Sequence, residues 1–111
     1  MWATGTTSPN TLVFHCEGMP NNSLATFWRG SMNDPSGVVF HDGIQCVAGA
    51  IIRFGQQAAG QDGNDPYSIA APAVALAPGT TRYYQTHYRN PNAGFCPPGL
   101  FNLSNGYVVT W

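Results

Sequence analysis

Thr80-Thr81-Arg82-Tyr83-Tyr84-Gln85-Thr86-His87-Tyr88-Arg89 is the longest stretch that alternates cleanly, with Tyr83, Gln85 and His87 set against Tyr84, Thr86 and Tyr88. Side chains that alternate with period two, rich in aromatic and β-branched types, specify a strand. The same signal recurs elsewhere in the chain. Thr11 to Cys16 puts Leu12, Phe14 and Cys16 on one face and Val13 and His15 on the other. Leu24 to Arg29 sets Leu24, Thr26 and Trp28 against Ala25 and Phe27.

Turn chemistry divides these runs. Gly18-Met19-Pro20-Asn21-Asn22 and Asn33-Asp34-Pro35-Ser36-Gly37 read as turns, and Asp42-Gly43 as a tight one after Val38-Val39-Phe40. Ile44 to Phe54 is long enough for one bent strand or two short ones, with Gly49 as the bend. Tyr67 to Ala70 is short, and Pro72 and Pro78 confine the segment after it to an edge or a connector. Phe101 to Leu103, the turn Ser104-Asn105-Gly106 and Tyr107 to Trp111 read as a C-terminal hairpin. No ten residues carry helical periodicity, and the alanine-rich Ala70 to Ala77 is broken by proline. The expectation is an all-β fold: a single two-sheet β-sandwich domain over residues 1–111. It has seven to nine short strands and no substantial helix, and a jelly roll is one arrangement that fits.

Composition narrows the function classes. Of 111 residues only nine are charged, four arginines and five acids, with no lysine and a net charge of −1. That 8% is far below the roughly 25% of ordinary soluble domains. It leaves no electrostatic footprint for nucleic acid or an anionic membrane, and no apolar run reaches the ~20 residues of a membrane span. The residues after Met1 carry neither a basic nor an apolar leader segment. Lack of lysine with abundant Asn, Thr and aromatics nevertheless suits an extracellular or cell-surface setting, which points to a module cut from a larger exported precursor. Near-neutral copies repel one another little, so a homo-oligomer is expected to form readily.

Cys16, Cys46 and Cys96 are too far apart for a zinc ribbon or a redox pair. In an oxidising compartment two would bond; the pair expected is Cys46–Cys96, closing a loop of about 50 residues worth about 3–4 kcal/mol. Cys16 is then a buried apolar residue or an intermolecular link.

Four stretches together resemble a known module. They are Gly18-Met19-Pro20; Phe40 to Cys46 with Gly49; Gly79 to Asn90 with Phe95-Cys96; and Phe101 to Trp111. The match is to a C-terminal β-rich module of large secreted proteins of planctomycetes and myxobacteria, closing on a Val-Thr-Trp or Val-Thr-Phe end. The resemblance implies an exported β-rich extension and supports the Cys46–Cys96 pairing; it supplies no catalytic residue. The chain departs from the pattern at His41, where glycine is usual, at His87, where an aromatic or aliphatic residue is usual, and at His15 and Cys16.

Candidate chemistry is sparse. His15, His41 and His87 could together hold copper or zinc if three strands converge, although no local spacing supports it and separate packing is the simpler reading. Asp62 and Asp65 concentrate oxygen ligands for calcium, but Pro66 breaks the EF-hand spacing and a solvated turn fits better. Five acids spread over turns are a poor source of a glycosidase pair, and no Gly-x-Ser-x-Gly elbow exists. No catalytic residue and no cofactor is therefore expected.

Aromatics are the richest resource. Trp28, Tyr83, Tyr84, Tyr88, Tyr107 and Trp111 are the expected members of an exposed binding face. Three functions are compatible with this inventory. The first is a non-catalytic module acting in adhesion, attachment or self-assembly through a protein surface. The second is a carbohydrate-binding module that holds polysaccharide on the aromatic face. The third is a small copper- or zinc-dependent enzyme.

Overall fold

The computed structural model describes residues 1–61, 63, 65–90 and 99–111. Cys96 of the expected disulfide and Asp62 of the expected calcium loop lie outside the described residues.

Ten strands form, and no helix among the described residues: β1 (Trp2–Thr4), β2 (Val13–Cys16), β3 (Leu24–Gly30), β4 (Met32–Phe40), β5 (Gly43–Ala48), β6 (Ile52–Ala58), β7 (Ile69–Pro72), β8 (Thr81–Arg89), β9 (Phe101–Leu103) and β10 (Tyr107–Thr110). All pairings are antiparallel. A front sheet runs β1-β2-β7, a central sheet β10-β8-β3-β6 with β9 also on β8, and β4-β5 is a separate hairpin. The all-β sandwich is thus present, with one strand more than the expected upper count. The extra strand is β1, too short to show a period.

Alternation in β2, β3 and β8 builds the core. Phe14 and Cys16 from β2, Ala25 and Phe27 from β3, Tyr84 from β8 and Ile69 from β7 are all fully buried between front and central sheets. The Phe14 ring lies 4.2 Å from Tyr84 and within 6.3 Å of Phe27, Phe54 and Tyr107. Burying one such aromatic contributes about 1.5–3 kcal/mol, so this cluster dominates the cohesion of the two sheets.

The opposite face of the central sheet carries the β4–β5 hairpin. Gln85, fully buried, ties it down: its Oε1 accepts from Cys46 N at 3.0 Å, and its Nε2 donates to Ile44 O and Ser104 O, both at 2.7 Å. The bend at Gly49 falls as expected, with φ of 74° between β5 and β6.

Two turn expectations are corrected. Residues Asn33 to Gly37 lie inside β4 and do not end a strand. Asn33 pairs with Val47 and Val38 with Gln45, so residues 34–37 bulge opposite a single partner residue. The turn chemistry is real but local: Asp34 Oδ1 accepts from Ser36 N at 3.0 Å. An edge strand tolerates this bulge and its proline.

The C-terminal hairpin is also absent. β9 and β10 both pair with β8, Leu103 opposite His87 and Tyr107 opposite Tyr84. Ser104, Asn105 and Gly106 therefore face only Gln85 and Thr86, which is a one-residue bulge in a continuing strand. Ser104 holds it, donating its N–H to Thr86 O while its hydroxyl accepts from Thr86 N, both at 2.9 Å. The long strand β8 supplies a better partner than a hairpin turn could.

Candidate functional site

The outer face of the central sheet divides along the strands. Its Tyr83–Gln85 end lies under β5. Its middle lies under the turn Phe40-His41-Asp42-Gly43. Its Leu24–Arg89 end is open and forms a cleft of about 610 Å³. Strand parity decides what points there: Leu24, Thr26 and Trp28 from β3, His87 and Arg89 from β8, Phe101 from β9, and Arg53 and Gln56 from β6.

A ladder of stacked rings crosses this face. Phe101 and His87 stack at 4.9 Å and 16°, and His87 and Trp28 do the same at 4.9 Å and 16°. Arg53, directly opposite Trp28 in register, closes the row with its guanidinium 5.8 Å from the indole centroid. That stacking is a cation–π contact. Phe40 stands edge-on to Trp28 at 5.7 Å and to His87 at 5.8 Å, capping the row.

His41 completes the cap, 5.1 Å from Phe101 and 6.0 Å from His87. Its φ of 56° is left-handed, a conformation that costs a residue with a Cβ about 1–2 kcal/mol. Trp28 Nε1 and His87 Nε2 are both buried without a hydrogen-bond partner among the described residues. Burial pushes the His87 pKa down, and the neighbouring His41 and Arg53 push it the same way. All three causes disfavour the charged imidazole. Among the described residues, two arginines and no acid line the cleft.

A second, shallower cleft of about 600 Å³ lies on the other side of the same sheet end. It is reached by Tyr88, Arg89's neighbour on the opposite face, and by Asn90, Glu17, Met19, Pro20, Asp65 and Tyr67. Among the described residues there are two acids here and no cation. Tyr67 is half exposed, and its N–H donates to Asp65 Oδ1 at 2.7 Å. Burial pushes the Tyr88 hydroxyl above its ordinary range, and nearby Cys16 adds to this.

The single aromatic face expected from the sequence does not exist. Tyr84 pairs with Tyr107, and their parity with Tyr88 and Trp111 puts all four on the inner side; Tyr83 and Trp28 point outward. Tyr84 and Trp28 are buried, 1% and 4% exposed. Tyr84 fills the core and accepts from Trp111 Nε1 at 3.2 Å, whereas both faces of Trp28 are taken by His87 and Arg53. Neither ring can stack on a sugar. Tyr83, Tyr88, Tyr107 and Trp111 are half-buried.

The three histidines do not converge. His41 and His87 share the ladder, but His15 sits on the outside of the front sheet, stacked on Trp2 at 5.2 Å, with Nε2 2.9 Å from Thr4 Oγ1. Among the described residues no group of three or more His, Cys, Asp or Glu side chains gathers as metal ligands. Cys16, buried, and Cys46, half-buried, are free thiols among the described residues, and burial pushes the Cys16 thiol up. No helix is long and apolar enough to cross a membrane among the described residues.

Sequence alone does not single out Arg53, Arg89 or Phe101. One signal exists for Arg89, whose parity matches that of His87 on the same strand. For Arg53 and Phe101 the register needed comes from long-range pairing. The chain matches no family model, no curated protein and no solved structure.

Proposed function

We propose that this chain is a non-catalytic, exported β-sandwich module that works by surface contact, in adhesion, attachment or self-assembly, and that the arginine-rimmed cleft is its contact surface. The supporting observation is the composition of that cleft. In a chain with nine charged residues, two of four arginines flank one opening beside a row of aromatic rings, with no acid among the described residues that line it. Aromatic and arginine side chains in a partly desolvated hollow are the usual anchors of protein contact. The test compares wild type with the Arg53→Ala/Arg89→Ala double variant, first checked for native circular dichroism. Retention on extracellular matrix and on immobilised copies of the chain should fall about tenfold or more. Unchanged retention by a folded double variant would overturn the reading.

A second reading, carbohydrate binding, draws on the other cleft. Half-exposed Tyr67 and half-buried Tyr88 stand beside Asn90, Glu17 and Asp65, a ring-plus-oxygen lining suited to sugar hydroxyls. Retention on insoluble polysaccharide that is lost in Tyr67→Ala, yet indifferent to Arg53→Ala, would favour this alternative.

A further inference from the structure

The two clefts carry opposite charge on opposite faces of one sheet end. Arg53 and Arg89 rim the outer cleft, while Glu17 and Asp65 rim the inner one; together they are four of the nine charged side chains. Adjacent residues Tyr88 and Arg89 point one to each cleft, so the two openings lie back to back across the strand.

We infer that the occupant of the arginine cleft is a second copy of this chain, presenting its Glu17–Asp65–Tyr67 rim. The inference rests on the surface-contact reading above and names its partner. The charges agree. Tyr67 lines the shallow inner cleft, half exposed, with its backbone anchored by Asp65. The outer cleft, of about 610 Å³, is lined beside its arginines by Leu24, Thr26 and Gln56.

Strand geometry sets the spacing of the two cations. Arg53 stands opposite Trp28, and Arg89, one step beyond the Ala25–Tyr88 pair, stands opposite Leu24. With ~4.8 Å between strands and ~3.3 Å per residue, their Cα atoms are about 16 Å apart. A guanidinium can therefore reach each side of an entering tyrosine, meet a carboxylate in bidentate fashion and stack on the phenol.

An acidic rim that meets an arginine rim is also what the rest of the composition allows. Near-neutral copies approach without repulsion, and the remaining five charges are divided between Arg29, Arg82, Asp34, Asp42 and Asp62. The two surfaces differ, so the contact is heterologous. Because they face opposite ways, it propagates and gives a head-to-tail chain of modules.

The test is sedimentation velocity of the full chain at ~20 mM and ~500 mM salt, where screening separates charged contacts from apolar ones. It uses wild type, an Arg53→Glu/Arg89→Glu variant and a Glu17→Arg/Asp65→Arg variant. Wild type should form concentration-dependent polymers at low salt that weaken about tenfold or more at high salt. Each reversed variant should sediment as a folded monomer, and mixing the two should restore association.

Tyr67→Ala should weaken wild-type association about tenfold. Monomeric wild type at high concentration and low salt would overturn the inference. If the Arg53→Ala/Arg89→Ala variant still lost matrix retention, the surface-contact reading would survive it. Polymers that persist in both reversed variants would overturn it too, by placing the contact elsewhere.

Discussion

The imidazole of His87 lies parallel to the indole of Trp28, 4.9 Å away and tilted by 16°, with its Nε2 buried and unpartnered among the described residues. Such a ring is at home only when neutral. Its pKa in the folded chain is depressed, first by burial and then by His41 and Arg53, whereas in the unfolded chain it titrates near ~6.5. The unfolded state therefore binds a proton that the native state refuses. Stability should be full above about pH 6.5 and fall as pH drops through the window below it. Urea midpoints from pH 8 to pH 5 check this. His87→Phe, which keeps the stack and removes the proton site, should flatten the dependence; an unchanged slope would show that another group is responsible.

Gln85 is the peg between the central sheet and the hairpin. Its amide presents one acceptor to Cys46 N and two donors to the carbonyls of Ile44 and Ser104. Gln85→Glu keeps the shape but turns a carboxylate oxygen toward those two carbonyls. The expected loss is about 3 kcal/mol at neutral pH. Gln85→Leu removes the partner of the Cys46 amide and of the Ser104 carbonyl and leaves Ile44 O with only the Cys46 thiol, without adding a charge, and should cost less. Hydrogen exchange at Cys46 should accelerate most in the Leu variant, which alone removes the acceptor of its N–H. Equal stability of the Glu and Leu variants would mean the hairpin is held by packing and not by this side chain.

The legible part of the sequence is local and periodic. The alternation of Thr80 to Arg89 identifies the strand at the centre of the sheet, and that of Leu12, Phe14 and Cys16 identifies core positions that are indeed buried. Alternation says which side chains share a face but not what covers it, so Trp28 and Tyr84 look equally available although each is buried by a different layer. Turn dipeptides mislead for a related reason. Asp34-Pro35-Ser36-Gly37 and Asn105-Gly106 do bend the backbone, but a partner strand runs past each bend and turns it into a bulge. Arg53, Arg89 and Phe101 become neighbours of one cleft through pairings such as Ala25 with Tyr88 and Trp28 with Arg53, which no window along the chain can show.

His41 occupies the first position of a two-residue turn between Phe40 and Gly43 with φ of 56°. Both His41→Gly and His41→Ala lose the ring contacts with Phe40, His87 and Phe101. They differ in the backbone alone. Glycine accepts the left-handed conformation and alanine does not, so the glycine variant should be more stable than the alanine variant by about 1 kcal/mol. Chemical denaturation of the pair measures it. Wild type more stable than both would show that the ring contacts outweigh the strain; no difference between the two variants would show that the turn relaxes to negative φ.

Gly55 is the bulged residue that lets β6 keep register with β3 on either side of the Thr26–Phe27 shift, and it lines the arginine cleft. Two separable features forbid a side chain there. Its φ is 58°, and an added Cβ would lie 2.5 Å from the Cβ of Ala71 in the front sheet. Gly55→Ala should therefore cost about 2–3 kcal/mol, combining left-handed strain with overpacking. Ala71→Gly alone costs less and creates the missing space. In the double variant the clash is gone but the strained φ remains, so the double should recover roughly half of the Gly55→Ala loss. Full additivity in the urea-denaturation cycle would mean the two sheets already part at this point, and the bulge would then owe its glycine to backbone conformation alone.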